Sequence, residues 1–218
     1  MPRAKRIWYP GAVYHVMSRG NRRVPIFMDD YDHNTFLEYL YRIREKYPFK
    51  IHSICLMTNH FHMAVETIDD DLSKIMQRLL GVYAEEYNHR HNFTGHLFEG
   101  RYTACLIDNE RYFLEVSRYI HLNPVKAQMV DNPLEYEYSS YAQFAYEMSE
   151  WQYRTTSKTF QLISQLVDTG RILEYFGNDS REQYRSFVEG NTSHADDEAR
   201  IQKEMKENEM WLPLQSQC

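Results

Sequence analysis

Cysteine is scarce. Cys55, Cys105 and Cys218 are the three in 218 residues, and they stand far apart. They make neither a disulfide framework nor a zinc cluster, which points to a reducing compartment and to packing roles for the thiols. No run of 18 apolar residues exists, so no membrane-spanning helix is expected. The N-terminal stretch MPRAKRIWYPG is basic but has no apolar segment behind it, which excludes a secretory signal. Internal repeats and low-complexity tracts are also missing. What remains is 43% hydrophobic, 26% charged and 15% aromatic. That composition excludes disorder throughout, and the length allows a sizeable core without staples.

Acidic residues are absent from the first 28 positions, which hold Arg3, Lys5, Arg6, Arg19, Arg22 and Arg23. Residues 1–130 carry 17 basic and 15 acidic side chains, net +2, while residues 131–218 carry 8 and 16, net −8. A basic arm on a near-neutral body is compatible with nucleic acid, and equally with a solvated N-terminus.

Residues 12–19 (AVYHVMSR) follow Pro10-Gly11 and read as a strand. Asp29 or Asp30 can cap a helix to about Tyr47, with Phe36, Leu40, Ile43 and Tyr47 on one face. Residues 49–57 and 60–67 read as strands joined at Thr58-Asn59. A helix over about 71–90 carries the stripe Leu72, Ile75, Met76, Leu79, Val82, Tyr83 and Tyr87. Residues 96–107 read as a fourth strand. A helix from Asp108 or Asn109 to about Ala127 turns Phe113, Val116, Ile120 and Ala127 inward, with Pro124 kinking or ending it. The order β-α-β-β-α-β-α predicts an α+β fold of ferredoxin-like or palm type, a central antiparallel sheet flanked by helices. Composition changes after Asn132-Pro133. The expected division is therefore 1–135 for this domain with its basic arm, and 136–218 for a small acidic, helical C-terminal region, loose or disordered over 192–210.

Two constellations can carry chemistry. His60 and His62 flank Phe61 on one strand, so both imidazoles point the same way, about 6–7 Å apart, while Phe61 points into the core. Such a pair can converge on one cation, and also occurs in structural roles. Glu66 shares the face but lies roughly 13 Å past His62, too far for a third ligand from that strand. Tyr119 and Asn123 are one helical turn apart, at about 100° and 60° from the Ile120 direction, at the edge of the apolar stripe. A carboxamide oxygen can complete a two-histidine metal site, and a neighbouring tyrosine could attack what the metal polarises. Among 18 tyrosines, a packing role for any one is the alternative.

The blocks YHVMSRGNRRVPIF (14–27), LMTNHFHMAVE (56–66), TGHLFEGRY (94–102) and RYIHLNPVKA (118–127) resemble, in order and spacing, the single-tyrosine HUH transposases, and among them the REP-associated branch. The resemblance runs from about Pro10 to Ala127 and more weakly to Tyr141. It implies an HUH domain in which His60 and His62 are metal ligands, Asn123 is the third ligand and Tyr119 is the catalytic nucleophile. It further implies cleavage and rejoining of single-stranded DNA at hairpins of palindromic repeats, through a 5′-phosphotyrosine, with Mg²⁺ or Mn²⁺. The expected place of action is the cytoplasm, on the nucleoid when DNA-bound. Such enzymes occur as monomers or homodimers. The competing expectations are a replication-initiator nuclease with the same motif order and a non-catalytic hairpin-binding regulator.

A phenol with a pKa of about 10 is only about 0.1% ionised at pH 7, so Tyr119 needs help. Lys126, on a similar helix face, is a candidate cation, and Arg118 is near in sequence. His15 on the first strand is a candidate supporting group or a core histidine. For DNA, Arg3, Lys5 and Arg6 can follow phosphates and Trp8 or Tyr9 can stack on an unpaired base. Arg19, Arg22 and Arg23 follow the first strand. Arg101 faces DNA or bridges to Glu99 or Glu110. His52 and His121 are expected at the partial surface, and His89, His91 and His96 in a turn.

Overall fold

The computed structural model describes residues 7–147, 157–190 and 199–203. Its core is a four-stranded sheet of β1 (Val13–Arg19), β2 (Phe49–Met57), β3 (His60–Thr67) and β4 (Thr103–Ile107), ordered β2-β3-β1-β4. Every neighbouring pair is antiparallel. Helices α1 (Asp30–Lys46) and α2 (Leu72–His91) connect the outer strands to the inner ones, and α3 (Glu110–Lys126) follows β4. This is the βαββαβ order of a ferredoxin-like sheet, as the hydrophobic periodicity predicts.

The helix starts are set by side chains. Asp29, Asp71 and Asn109 each accept a backbone N–H of the first turn. The predicted stripes of α1 and α2 face one side of the sheet, where Phe36, Leu40, Ile75, Met76, Leu79 and Tyr83 meet Phe61, Met63 and Val65. The opposite side is covered by α3, whose Phe113, Val116 and Ile120 pack with Met17, Cys55, Ala64 and Cys105. Cys55 and Cys105 are buried packing thiols, and Cys218 lies outside the described residues.

Two expectations are corrected, the bounds of the fourth strand and the inward place of Ala127. The fourth strand is Thr103–Ile107, not 96–107. Residues before it form a loop that touches the sheet through a single bridge, Gly20 to Phe98, because β1 turns away at Gly20. Ala127 is the exposed C-cap of α3 rather than part of its inward stripe. Pro124 sits inside α3, which runs on to Lys126.

The C-terminal half contributes α4 (Tyr141–Ala145), α5 (Lys158–Leu166), α6 (Gly170–Leu173) and α7 (Ser180–Glu189). Tyr141, Phe144, Tyr184 and Val188 belong to the α3-side core, while Ile163 and Leu166 of α5 join the other side beside α1. Most of the 192–210 stretch lies outside the described residues, and within 199–203 Ile201 is fully buried. No helix among the described residues is long and apolar enough to cross a membrane.

Candidate active site

Strand alternation sorts β3 into two jobs. Phe61, Met63 and Val65 go to the α1/α2 core, while His60, His62 and Ala64 face α3. On β1 the same face carries His15, Met17 and Arg19, with Met17 opposite His62 and Arg19 opposite His60. The two HUH rings stand edge to face with centroids 5.0 Å apart. Tyr119 comes down from α3 and meets His62 edge to face at 5.6 Å and His15 at 5.8 Å. Asn123 is one turn further along the same helix, half-buried, its Nδ2 donating to the Tyr119 carbonyl over 2.8 Å. Residues 57 to 63 positions apart in sequence, His62 and Tyr119, His60 and Asn123, are thereby brought to one spot.

The donor chemistry fits a metal. His60 Nδ1 lies 2.7 Å from Asn59 Oδ1, an acceptor, so Nδ1 donates and Nε2 keeps its lone pair. His62 Nδ1 is engaged with His15 Nε2 at 3.0 Å, which leaves its Nε2 for the site. Burial holds the His60 ring near a pKa of about 4, with the Arg19 charge adding to the effect. Burial, then His60, His15 and Arg19, push His62 well below the ordinary value. Both rings are therefore neutral at pH 7, the form that binds metals. Asn123 uses its amide nitrogen on the helix, so Oδ1 is the atom to offer. No three His, Cys, Asp or Glu side chains among the described residues are grouped to hold a metal, so an amide oxygen is needed for a third protein ligand.

Lys126 Nζ lies 4.9 Å from the centre of the Tyr119 ring, a cation over a π face. Arg118 is not beside that ring. It is buried, with Nε donating to Phe187 O at 2.9 Å and Nη2 to Gly190 O at 3.2 Å. Glu66 is used elsewhere, accepting from His52 Nε2 at 2.8 Å and from Arg171 at 2.6 Å. His52 and His121, expected at the partial surface, are both fully buried. His52 found Glu66. His121 lies between Tyr184 Oη at 2.7 Å and Ser140 Oγ at 2.8 Å. Tyr184 Oη is also 2.5 Å from Ser117 Oγ. Ser117, Arg118 and His121 thus tie the tyrosine helix to α7 and the residue after it. Sequence reasoning missed this clamp, because nothing local marks a partner more than 60 residues away.

The basic loop is built to a fixed shape. Arg22 and Arg23 have φ of 51° and 62°, a left-handed conformation costly for non-glycine residues. Gly20 permits it, since a Cβ there would stand 2.1 Å from the Val24 carbonyl oxygen. Asn21 N donates to Leu97 O at 2.7 Å, Glu99 N to Arg19 O at 3.0 Å and Asn59 Nδ2 to Arg23 O at 3.1 Å. Arg22 and Arg23 are exposed, and Arg101 is exposed on the neighbouring loop. An open cleft of about 620 Å³ runs between that loop and α2, lined by Asn21, Gly81, His96, Phe98 and Arg101 among others. Trp8 is partly exposed and docks its Nε1 on the Asp70 carbonyl at 3.2 Å. Arg3, Lys5 and Arg6 lie outside the described residues. Asn59 is a residue the sequence marked only as a turn, although an amide directly before His60 was a legible hint.

Comparison with solved structures finds a REP-associated tyrosine transposase bound to a REP hairpin, 19% identical, with a TM-score of 0.55, covering 66% of this chain and 84% of that one. A candidate transposase from Deinococcus radiodurans R1 is 15% identical, with a TM-score of 0.39, covering 55% of this chain and 95% of that one. No curated protein matches. The family model described as "Transposase IS200 like" matches residues 9–123, from just before β1 to Asn123, the last of the four candidate site residues. The chain belongs to the IS200-like transposase family, and its general role is that of a transposase.

Proposed function

We propose that this transposase cleaves and rejoins single-stranded DNA at hairpin sites, in the manner of the REP-associated branch, with Tyr119 as nucleophile. The observation that carries the reading is the Tyr119 ring set against His62, beside a second imidazole, all on one face of the sheet. His60 and His62 through Nε2 and Asn123 through Oδ1 would hold a divalent ion, Mg²⁺ or Mn²⁺, which supplies charge withdrawal from the scissile phosphate.

Tyr119 Oη attacks phosphorus, the bond to the 3′-oxygen breaks, and the phenol proton is lost to the surroundings while the leaving oxygen takes one up. The products are a 5′-phosphotyrosine and a 3′-OH. One phosphodiester is exchanged for another, so a new 3′-OH can reverse the step without ATP. Lys126 favours negative charge on the phenol. Arg19, beside His60 in the sheet register, faces the same phosphate. Arg22, Arg23 and Arg101, with Trp8 and the arm residues Arg3, Lys5 and Arg6, contact the rest of the DNA. Hairpin DNA is the proposed partner because the similar transposase is bound to a REP hairpin in its structure.

The test is a denaturing gel with labelled single-stranded DNA carrying palindromic repeats. A protein-linked band should form with Mn²⁺ or Mg²⁺, vanish with EDTA, and be absent for Tyr119→Phe although that variant still binds DNA. No band from wild type on a hairpin it binds would overturn the catalytic reading in favour of a hairpin-binding regulator.

A further inference from the structure

His15 is fully buried, and one edge of its ring is spent on His62: Nε2 to Nδ1, 3.0 Å. Its other nitrogen, Nδ1, is buried with no hydrogen-bond partner among the described residues. A buried histidine that packed only for volume would be replaceable by an apolar side chain at no polar cost. His15 accepts an orphaned nitrogen in order to keep the other on His62. The ring also stands edge-on to Tyr119, so it touches both the nearest imidazole of the site and the nucleophile.

We propose that His15 is the positioning residue of this centre: its Nε2 fixes the ring plane and the protonation pattern of His62. The inference rests on the metal reading given above. When His62 Nε2 is a ligand, the proton of the neutral ring sits on Nδ1 and donates to His15 Nε2. His15 then carries its own proton on Nδ1, the orphaned atom. With that contact made, the His62 ring stands edge-on to Tyr119 and its Nε2 is left for the metal. Without His15, the His62 ring is free to flip or to place its proton on Nε2, where it blocks the metal. His60 receives the same service from Asn59 Oδ1, so each HUH histidine has one dedicated partner on Nδ1.

Mn²⁺ titration of the full-length protein, followed by electron paramagnetic resonance, tests this without any DNA chemistry. His15→Leu should lower Mn²⁺ affinity by about 10- to 100-fold while its circular dichroism stays native. His15→Gln, whose amide group reaches the place of Nε2, should restore affinity to within a few-fold of wild type. A folded Leu variant that binds Mn²⁺ like wild type would overturn the role of His15 and leave the metal reading standing. Wild type that holds no Mn²⁺ would bring down the metal reading and this inference with it. If the Leu variant does not fold, nitrogen NMR of the Mg²⁺-bound wild type decides. A proton on His62 Nδ1 is expected, and one on Nε2 overturns the proposal.

Discussion

The two faces of the sheet are made by the same strands and differ in almost everything else. Toward α1 and α2, β3 presents Phe61, Met63 and Val65 to an apolar core. Toward α3, one residue out of step, it presents His60 and His62. On the first face these strand side chains are apolar, and the buried Asp32 and His33 beside them come from α1. The second buries histidines, two orphaned ring nitrogens (His15 Nδ1 and His52 Nδ1) and a hydroxyl–imidazole–hydroxyl chain. A period of two lets one eight-residue strand separate stability from chemistry without a loop or an insertion.

The largest effects should fall cleanly to one side of that division. Phe61→Ala should cost about 3–5 kcal/mol in denaturant unfolding. Tyr119→Phe should change stability by about 1 kcal/mol or less and yet abolish the covalent adduct. If both variants lose stability alike, the separation is not real.

A smaller effect sharpens the contrast through pH. Burial holds His15 and His121, both on the α3 side, near a pKa of about 3. Unfolded, each titrates near 6.5. Below 6.5 the unfolded chain binds protons that the native rings refuse. Stability is thus fully present above 6.5 and drains as the pH falls toward 3. The slope should be about 1.4 kcal/mol per pH unit for each ring. His121→Gln should remove one ring's share of that slope, measured by unfolding at pH 4.5 to 7. An unchanged slope would mean the α3 side is less dry than its geometry implies.

The smallest effect is at the rim. Arg22→Ala with Arg23→Ala should leave unfolding unchanged and reduce the slope of log affinity against log salt by about 0.7 for each lost phosphate contact on single-stranded DNA. A slope equal to that of wild type would take the left-handed arginine pair out of the DNA surface.

How much of this was legible beforehand follows from how local each signal is. β2 and β3 were readable to the residue, because alternation and the Thr58-Asn59 turn are written in consecutive positions. The HUH pair and the Tyr119/Asn123 turn were readable as faces of a strand and a helix. That the faces meet needed the fold. β4 was read too long because residues 96–102 alternate like a strand, while pairing depends on β1, which has already turned at Gly20. His52 and His121 were misplaced for a related reason. Whether a histidine can be buried is decided by the partner that satisfies it, and theirs come from Glu66 and from Tyr184 and Ser140. Arg118, near the tyrosine in sequence, turned the other way because the carbonyls of Phe187 and Gly190 were there to receive it.

The clamp on the tyrosine helix also has an order in time. Ser117 waits for Tyr184, 67 positions later, and Arg118 for Phe187 and Gly190, 69 and 72 positions later. During synthesis the four site residues have all left the ribosome long before α7 exists. At about 5–20 residues per second, that interval lasts several seconds or more. A nascent chain therefore carries Tyr119, the proposed nucleophile, on a helix not yet locked against the sheet. The support of that helix arrives late, with the stretch that lies beyond the family-matched residues, so a half-made chain holds every proposed site residue before the clamp that braces the Tyr119 helix exists.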